Sequence, residues 1–232
     1  MTDSASTFYA FLGGTLPAIL WLLFWLREDS KRPEPRGRLV ETFLAGMLVV
    51  ILVIPLQKYA TQIHPVDPEK NPFSFFFPLA LLEEIFKFLA AYVIALRSID
   101  DDEPIDSIIY MITAALGFVA LENALFILNP LLKQDITLAL VTGGSRFLGA
   151  SILHTIASGA MGVMIALSFY KAKKIKIRFA LLGLLIAILV HTAFNVFLYR
   201  NIGENADIIF MTVWIGAAML LLLFEKVKTI AP

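Results

Sequence analysis

The stretch LLEEIFK places Glu83, Glu84 and Lys87 in the middle of an otherwise apolar run from Phe77 to Leu96. Glu83 and Lys87 are four residues apart and Glu84 and Lys87 three, so on a helix the ammonium reaches one carboxylate and leaves the other to point elsewhere. Three more ionisable side chains stand in similar apolar surroundings: Glu122 in FVALEN, His154 in HTIASGAMG and His191 in HTAFN. On helices, Glu122 lies in a stripe with Phe118 and Phe126, His154 shares a face with Ser158, and His191 shares one with Asn195. Paired carboxylates and imidazoles are the groups that move protons for hydrolysis, and two His with one Glu is the ligand set of open catalytic zinc sites. With no cysteine in the chain, there is neither a thiolate nucleophile nor a thiolate metal ligand.

These residues need helices to hold them, and the composition says which kind. Of 232 residues 59% are hydrophobic and 16% charged, with a mean hydropathy of +0.80. That is the composition of an integral membrane protein. Apolar runs of spanning length cover residues 7–26, 39–63, 72–96, 105–128, 145–170, 179–200 and 206–224, bounded by charges or by Pro, Asn and Gly. The expectation is an all-α polytopic bundle of about seven transmembrane helices, forming a single domain over residues 1–232. Residues 129–144 are short, apolar and punctuated, and read as an extra amphipathic or re-entrant helix. The first run lacks a basic leader region and is long enough to span, so it reads as a retained helix and not a cleaved signal.

Lysine and arginine are unevenly distributed along this order of helices. Thirteen fall in the loops after the first, third and fifth spans and at the C-terminus, and five on the opposite side. This bias predicts an N-terminus outside and a C-terminus inside. A net charge of zero, with 19 basic and 19 acidic residues, gives no reason to expect a nucleic-acid partner.

A charge at the centre of a spanning helix costs roughly 2.5 to 3.5 kcal/mol, so three carboxylates and a lysine cost on the order of 10 kcal/mol before pairing. Counted inward from the helix ends, Glu83, Glu84, Glu122, His154 and His191 fall in a slab roughly 9 to 17 Å below the outer edge. Four helices thus bring their ionisable groups to one depth. The small residues of ASGAMG and LLGLL allow the close helix approach that a shared cluster needs.

The motifs that carry these residues resemble those of the PrsW family of intramembrane proteases. EEIFK matches EExxK, FVALEN matches FxxxEN, HTIASGAMG the third motif and HTAFN the HxxxN fourth motif, in that order on separate spans. The loop REDSKRPEPRG resembles the basic, PEP-containing stretch of that family. The wider group includes the CAAX prenyl endopeptidases, from which the chain departs by carrying Glu122 where they have His. The resemblance implies cleavage of membrane-anchored proteins, such as anti-sigma factors, in the cytoplasmic membrane of a prokaryote.

Two mechanisms stay open on the residues alone. In one, Glu83 or Glu84 is the base that activates water, Lys87 balances charge, and His191 and Asn195 donate to the oxyanion. In the other, Glu122, His154 and His191 hold a divalent metal ion such as zinc. A proton-coupled transporter and a non-catalytic membrane scaffold are the competing functions, since both would also keep buried charges.

Overall fold

In the computed structural model, which describes residues 2–29, 31–201 and 206–231, the described residues are helical apart from short connections. Helices α1 (Asp3–Trp25), α2 (Arg36–Ile63), α3 (Pro72–Ala91), α4 (Pro104–Leu132), α5 (Ile136–Ser145), α6 (Ser151–Leu167), α7 (Lys173–Asn201) and α8 (Ala206–Val227) follow in order. Among the described residues six stretches are long and apolar enough to cross a membrane: Asp3–Asp29, Arg36–Ile63, Pro104–Leu132, Ile136–Leu167, Lys173–Asn201 and Phe210–Val227. At 20 residues α3 also has spanning length, and it falls outside that apolar set because it carries Glu83, Glu84 and Lys87. The protein is an all-α polytopic membrane protein.

Helix α4 is the axis of the bundle. Every side chain from Pro104 to Ala120 is buried, as expected of a helix that is apolar all round, and α1, α2, α3 and α6 pack around it. It starts at Pro104, where a proline has no amide to lose, and Asp106 accepts hydrogen bonds from the backbone amides of Asp102 and Glu103 at 2.9 and 2.6 Å. Two glycines set its distance from α2. A Cβ on Gly46 would lie 2.1 Å from the carbonyl oxygen of Ala114, and one on Gly117 would lie 2.0 Å from that of Phe43. The two backbones therefore touch where neither helix carries a side chain.

The punctuated segment after α4 differs from its sequence reading. Gln134 turns the chain with a φ of 60°, Asp135 caps α5 by accepting from the amide of Leu138 at 2.9 Å, and α5 runs on through a π-helical turn, Arg146–Ala150, into α6. Residues 136–167 thus form one apolar stretch, in which the helix at Ile136–Ser145 is continuous with the one that carries His154. Arg146, one of the five basic residues assigned to the outer side, lies in the π turn of this helix. The extra residue in the π turn rotates the helix just ahead of His154, an arrangement frequent at functional sites.

Candidate active site

Adjacent positions on α3 send Glu83 and Glu84 in different directions, and their surroundings differ accordingly. Glu84 is completely buried. One oxygen, Oε1, accepts from Lys87 Nζ and lies against His191 Nδ1, both at 2.8 Å, and Oε2 accepts from the Ser158 hydroxyl at 2.8 Å. Glu83 accepts from the Gln57 side-chain amide at 2.9 Å through Oε1. Its Oε2 faces Lys87 Nζ at 3.4 Å, His191 Nε2 at 3.7 Å and His154 Nδ1 at 3.9 Å.

The tautomer of His191 follows from its partner. A carboxylate accepts only, so the Nδ1 beside Glu84 carries the proton and the Nε2 lone pair is directed toward Glu83. A carboxylate behind a histidine is the usual way to orient a metal-ligating imidazole. His154 sits edge-on to His191, with ring centroids 4.8 Å apart. Its Nδ1 is 2.5 Å from the Lys87 ammonium and its Nε2 is 3.5 Å from Glu122 Oε2. Lys87 is fully buried and lies over the Phe118 ring, 4.5 Å from its centroid.

Glu83, His154 and His191 each present one ligand atom, all within 4.8 Å of one another. Two imidazoles and a carboxylate fit a catalytic zinc ion. The carboxylate that meets both histidines is Glu83, whereas the sequence reading put Glu122 in that position. Glu122 is held aside by a salt bridge to Arg146, whose guanidinium also donates to Asn123 and lies 3.9 Å above the Phe126 ring. It remains close to His154, so it belongs to the cluster without facing His191.

A cavity of about 750 Å³ opens on this cluster, lined by Glu83, Glu122, His154, His191, Asn195 and Arg146 among others. Glu84 and Lys87 are not part of its wall. Of the two adjacent carboxylates, Glu83 is the one that reaches the cavity. Asn195, one turn beyond His191, is half-buried and lines the same space.

Sequence reasoning missed Arg146 and Gln57. The first stands eight residues before His154 with no other charge between them, inside the same apolar run 145–170, and that isolated cation is the signal that could have found it. The second is a lone amide in the apolar run of α2. A polar side chain at such a depth needs a partner, and Glu83 is it.

The sequence, though not the structure, has counterparts among known proteins. No solved structure matches the chain. Residues 34–223 match the family described as PrsW family intramembrane metalloprotease. Among similar proteins, Protease PrsW of Geobacillus kaustophilus is 28% identical over 69% of this chain and 67% of its own. Protease PrsW of Clostridioides difficile is 28% identical over 80% of this chain and 77% of its own, and that of Bacillus subtilis 23% identical over 78% and 79%. With the family matched over most of its length, the chain belongs to the PrsW family of intramembrane proteases.

Proposed function

We propose that the cavity is the peptide-cleaving centre, that it acts on membrane-anchored proteins of the anti-sigma-factor class, and that Glu83, His154 and His191 hold one divalent metal ion of the zinc type. The observation that carries this reading is the convergence of these three side chains within 4.8 Å on the wall of a cavity. A zinc ion in such a site polarises the scissile carbonyl and acidifies the attacking water. The chain's own residues do the rest. Glu84 fixes the His191 tautomer, Lys87 balances the carboxylate pair, and Glu122 is the remaining cavity carboxylate to accept the proton of the water and return it to the leaving amine. The Asn195 amide donates to the oxyanion.

The cavity is bounded by the end of α2, the start of α3 and the ends of α4 and α7. By the distribution of basic residues, this is the outer side of the membrane, with the N-terminus outside. Cysteines introduced at Ser4 and Lys173 test that orientation, with labelling from outside expected at the first and from inside at the second.

One observation favours a second reading in which Glu83 is a metal-free general base. Lys87 Nζ already lies 2.5 Å from His154 Nδ1 and within 3.4 Å of both carboxylates, a cation position filled by the protein itself. Metal analysis of the purified enzyme, alongside cleavage of a membrane-anchored reporter before and after chelation, separates the two. The zinc reading expects near-stoichiometric metal and loss of cleavage on its removal. A metal-free enzyme at full rate overturns it.

A further inference from the structure

The chain contains a second group of ionisable side chains that the proteolytic site does not use. Asp29, at the end of α1, Glu34, in the loop that follows, and Asp106, in the first turn of α4, are all buried, at 4, 7 and 1% exposure. They lie at the opposite end of α4 from Glu122. Each presents an oxygen, and these atoms are within 4.8 Å of one another.

The partners of this group fall short of its charge. Asp29 Oδ2 and Asp106 Oδ1 are buried with no hydrogen-bond partner. Glu34 accepts from the Tyr110 hydroxyl, and Asp106 Oδ2 accepts from two backbone amides. The neighbouring arginines are committed to other acids: Arg32 to Glu103 and Asp102, and Arg38 to Asp100 and Glu41. Among the described residues no lysine or arginine nitrogen lies within salt-bridge distance of the three. The helix N-terminus at Asp106 offsets roughly half a charge.

Three buried carboxylates with two orphaned oxygens are stabilised by a cation placed among them. We propose that Asp29, Glu34 and Asp106 form a second metal site, which takes a hard divalent cation (magnesium, manganese or calcium) and ties the loop after α1 to the start of α4. The ligand chemistry selects the ion. An all-oxygen set suits hard cations, whereas the site at Glu83 contains two imidazoles and suits zinc. The two metals are thereby sorted by donor type within one chain.

The test uses the full-length protein in detergent, stripped with a chelator, dialysed, and titrated separately with magnesium, manganese and calcium chloride. Bound metal is counted by equilibrium dialysis, and melting temperature is followed in parallel. At least one of the three should bind saturably at one equivalent outside the histidine site and raise the melting temperature by about 5 to 10 °C at a hundredfold excess over Kd. Glu34→Gln and Asp106→Asn should each weaken that binding by at least about tenfold, with the zinc content of the unstripped protein unchanged. The proposal is overturned if the wild type binds none of the three, if binding survives in both variants, or if it disappears in His191→Ala, which would assign the ion to the proteolytic site. A stripped wild type whose melting temperature responds to pH and to no metal also overturns it, since a shared proton would then hold the carboxylates together. None of these outcomes depends on whether the cavity cleaves peptides.

Discussion

Glu84 Oε1 lies 2.8 Å from His191 Nδ1, a contact across 107 residues of chain that fixes the imidazole before any substrate arrives. Glu83, its neighbour in sequence, faces the cavity instead. On the function proposed above, one of these adjacent glutamates positions and the other reacts, and their substitutions should have opposite signatures.

Glu83→Gln keeps the size of the side chain and an acceptor for Gln57. Cleavage of a membrane-anchored reporter should fall by at least about 10²- to 10⁴-fold, with the melting temperature of the metal-stripped protein unchanged or raised. Wild-type turnover in this variant would remove Glu83 from the reaction centre.

Glu84→Gln leaves Lys87 and His191 without their shared carboxylate. Loss of one partner from a buried ion pair costs about 3 to 5 kcal/mol, so this variant should lose folding yield and melting temperature together with activity. Adding Lys87→Met should restore part of the stability, because the stranded ammonium is then gone. A double-mutant cycle in detergent gives the coupling directly, and a coupling near zero would refute the pairing.

Metal content distinguishes Glu83 from Glu122. If Glu83, His154 and His191 are the ligands, Glu83→Gln, His154→Ala and His191→Ala should each lose the bound zinc, while Glu122→Gln keeps it and loses turnover. Zinc lost from Glu122→Gln and kept in Glu83→Gln would restore the ligand set read from the sequence.

Packing of α4 against α2 should be intolerant of a single methyl group. In Gly117→Ala the new Cβ meets the Phe43 carbonyl oxygen, a backbone atom that cannot swing aside. A cost of about 1 to 3 kcal/mol is expected, seen as a lower melting temperature, and Gly46→Ala should behave alike. An unchanged melting temperature would mean that the helices are further apart than described.

One pH effect belongs to the loop before α4. Burial raises the Asp101 carboxyl from 3.8 to about 7, and the Ser107 hydroxyl donates to it at 3.1 Å. Between those two pH values the folded chain keeps a proton that the unfolded chain gives up. The stability from this group is present in full below pH 3.8 and is lost as pH rises through about 7. Melting curves of Asp101→Asn should show a shallower decline over that window, and an identical profile would place the titration elsewhere.

Much of the site was legible because a charge in hydrocarbon is expensive enough to be conspicuous. Glu83, Glu84, Lys87, Glu122, His154 and His191 stand out for that reason, and helix counting alone brought them to one depth. Counting gives depth but not rotation, so it could not tell whether Glu122 or Glu83 turns toward both histidines. That choice depends on Arg146, which draws Glu122 aside, and the position of Arg146 depends on a π-helical turn that no periodicity announces. The carboxylates of the second cluster escaped notice because acids in a loop look solvated until the fold buries them.

The charges of α3 also bear on how the chain is made. Two carboxylates and an ammonium leave the ribosome on a segment whose later partners do not yet exist. The Ser158 hydroxyl and the His191 imidazole that Glu84 requires are 74 and 107 residues further along. At roughly 2.5 to 3.5 kcal/mol per charge, α3 is a poor candidate for insertion by itself. Its stable insertion should therefore depend on α6 and α7, which carry those partners. A nascent chain that stalls before α7 would thus expose its own unpaired acids to quality control, and no half-built protease would persist in the membrane.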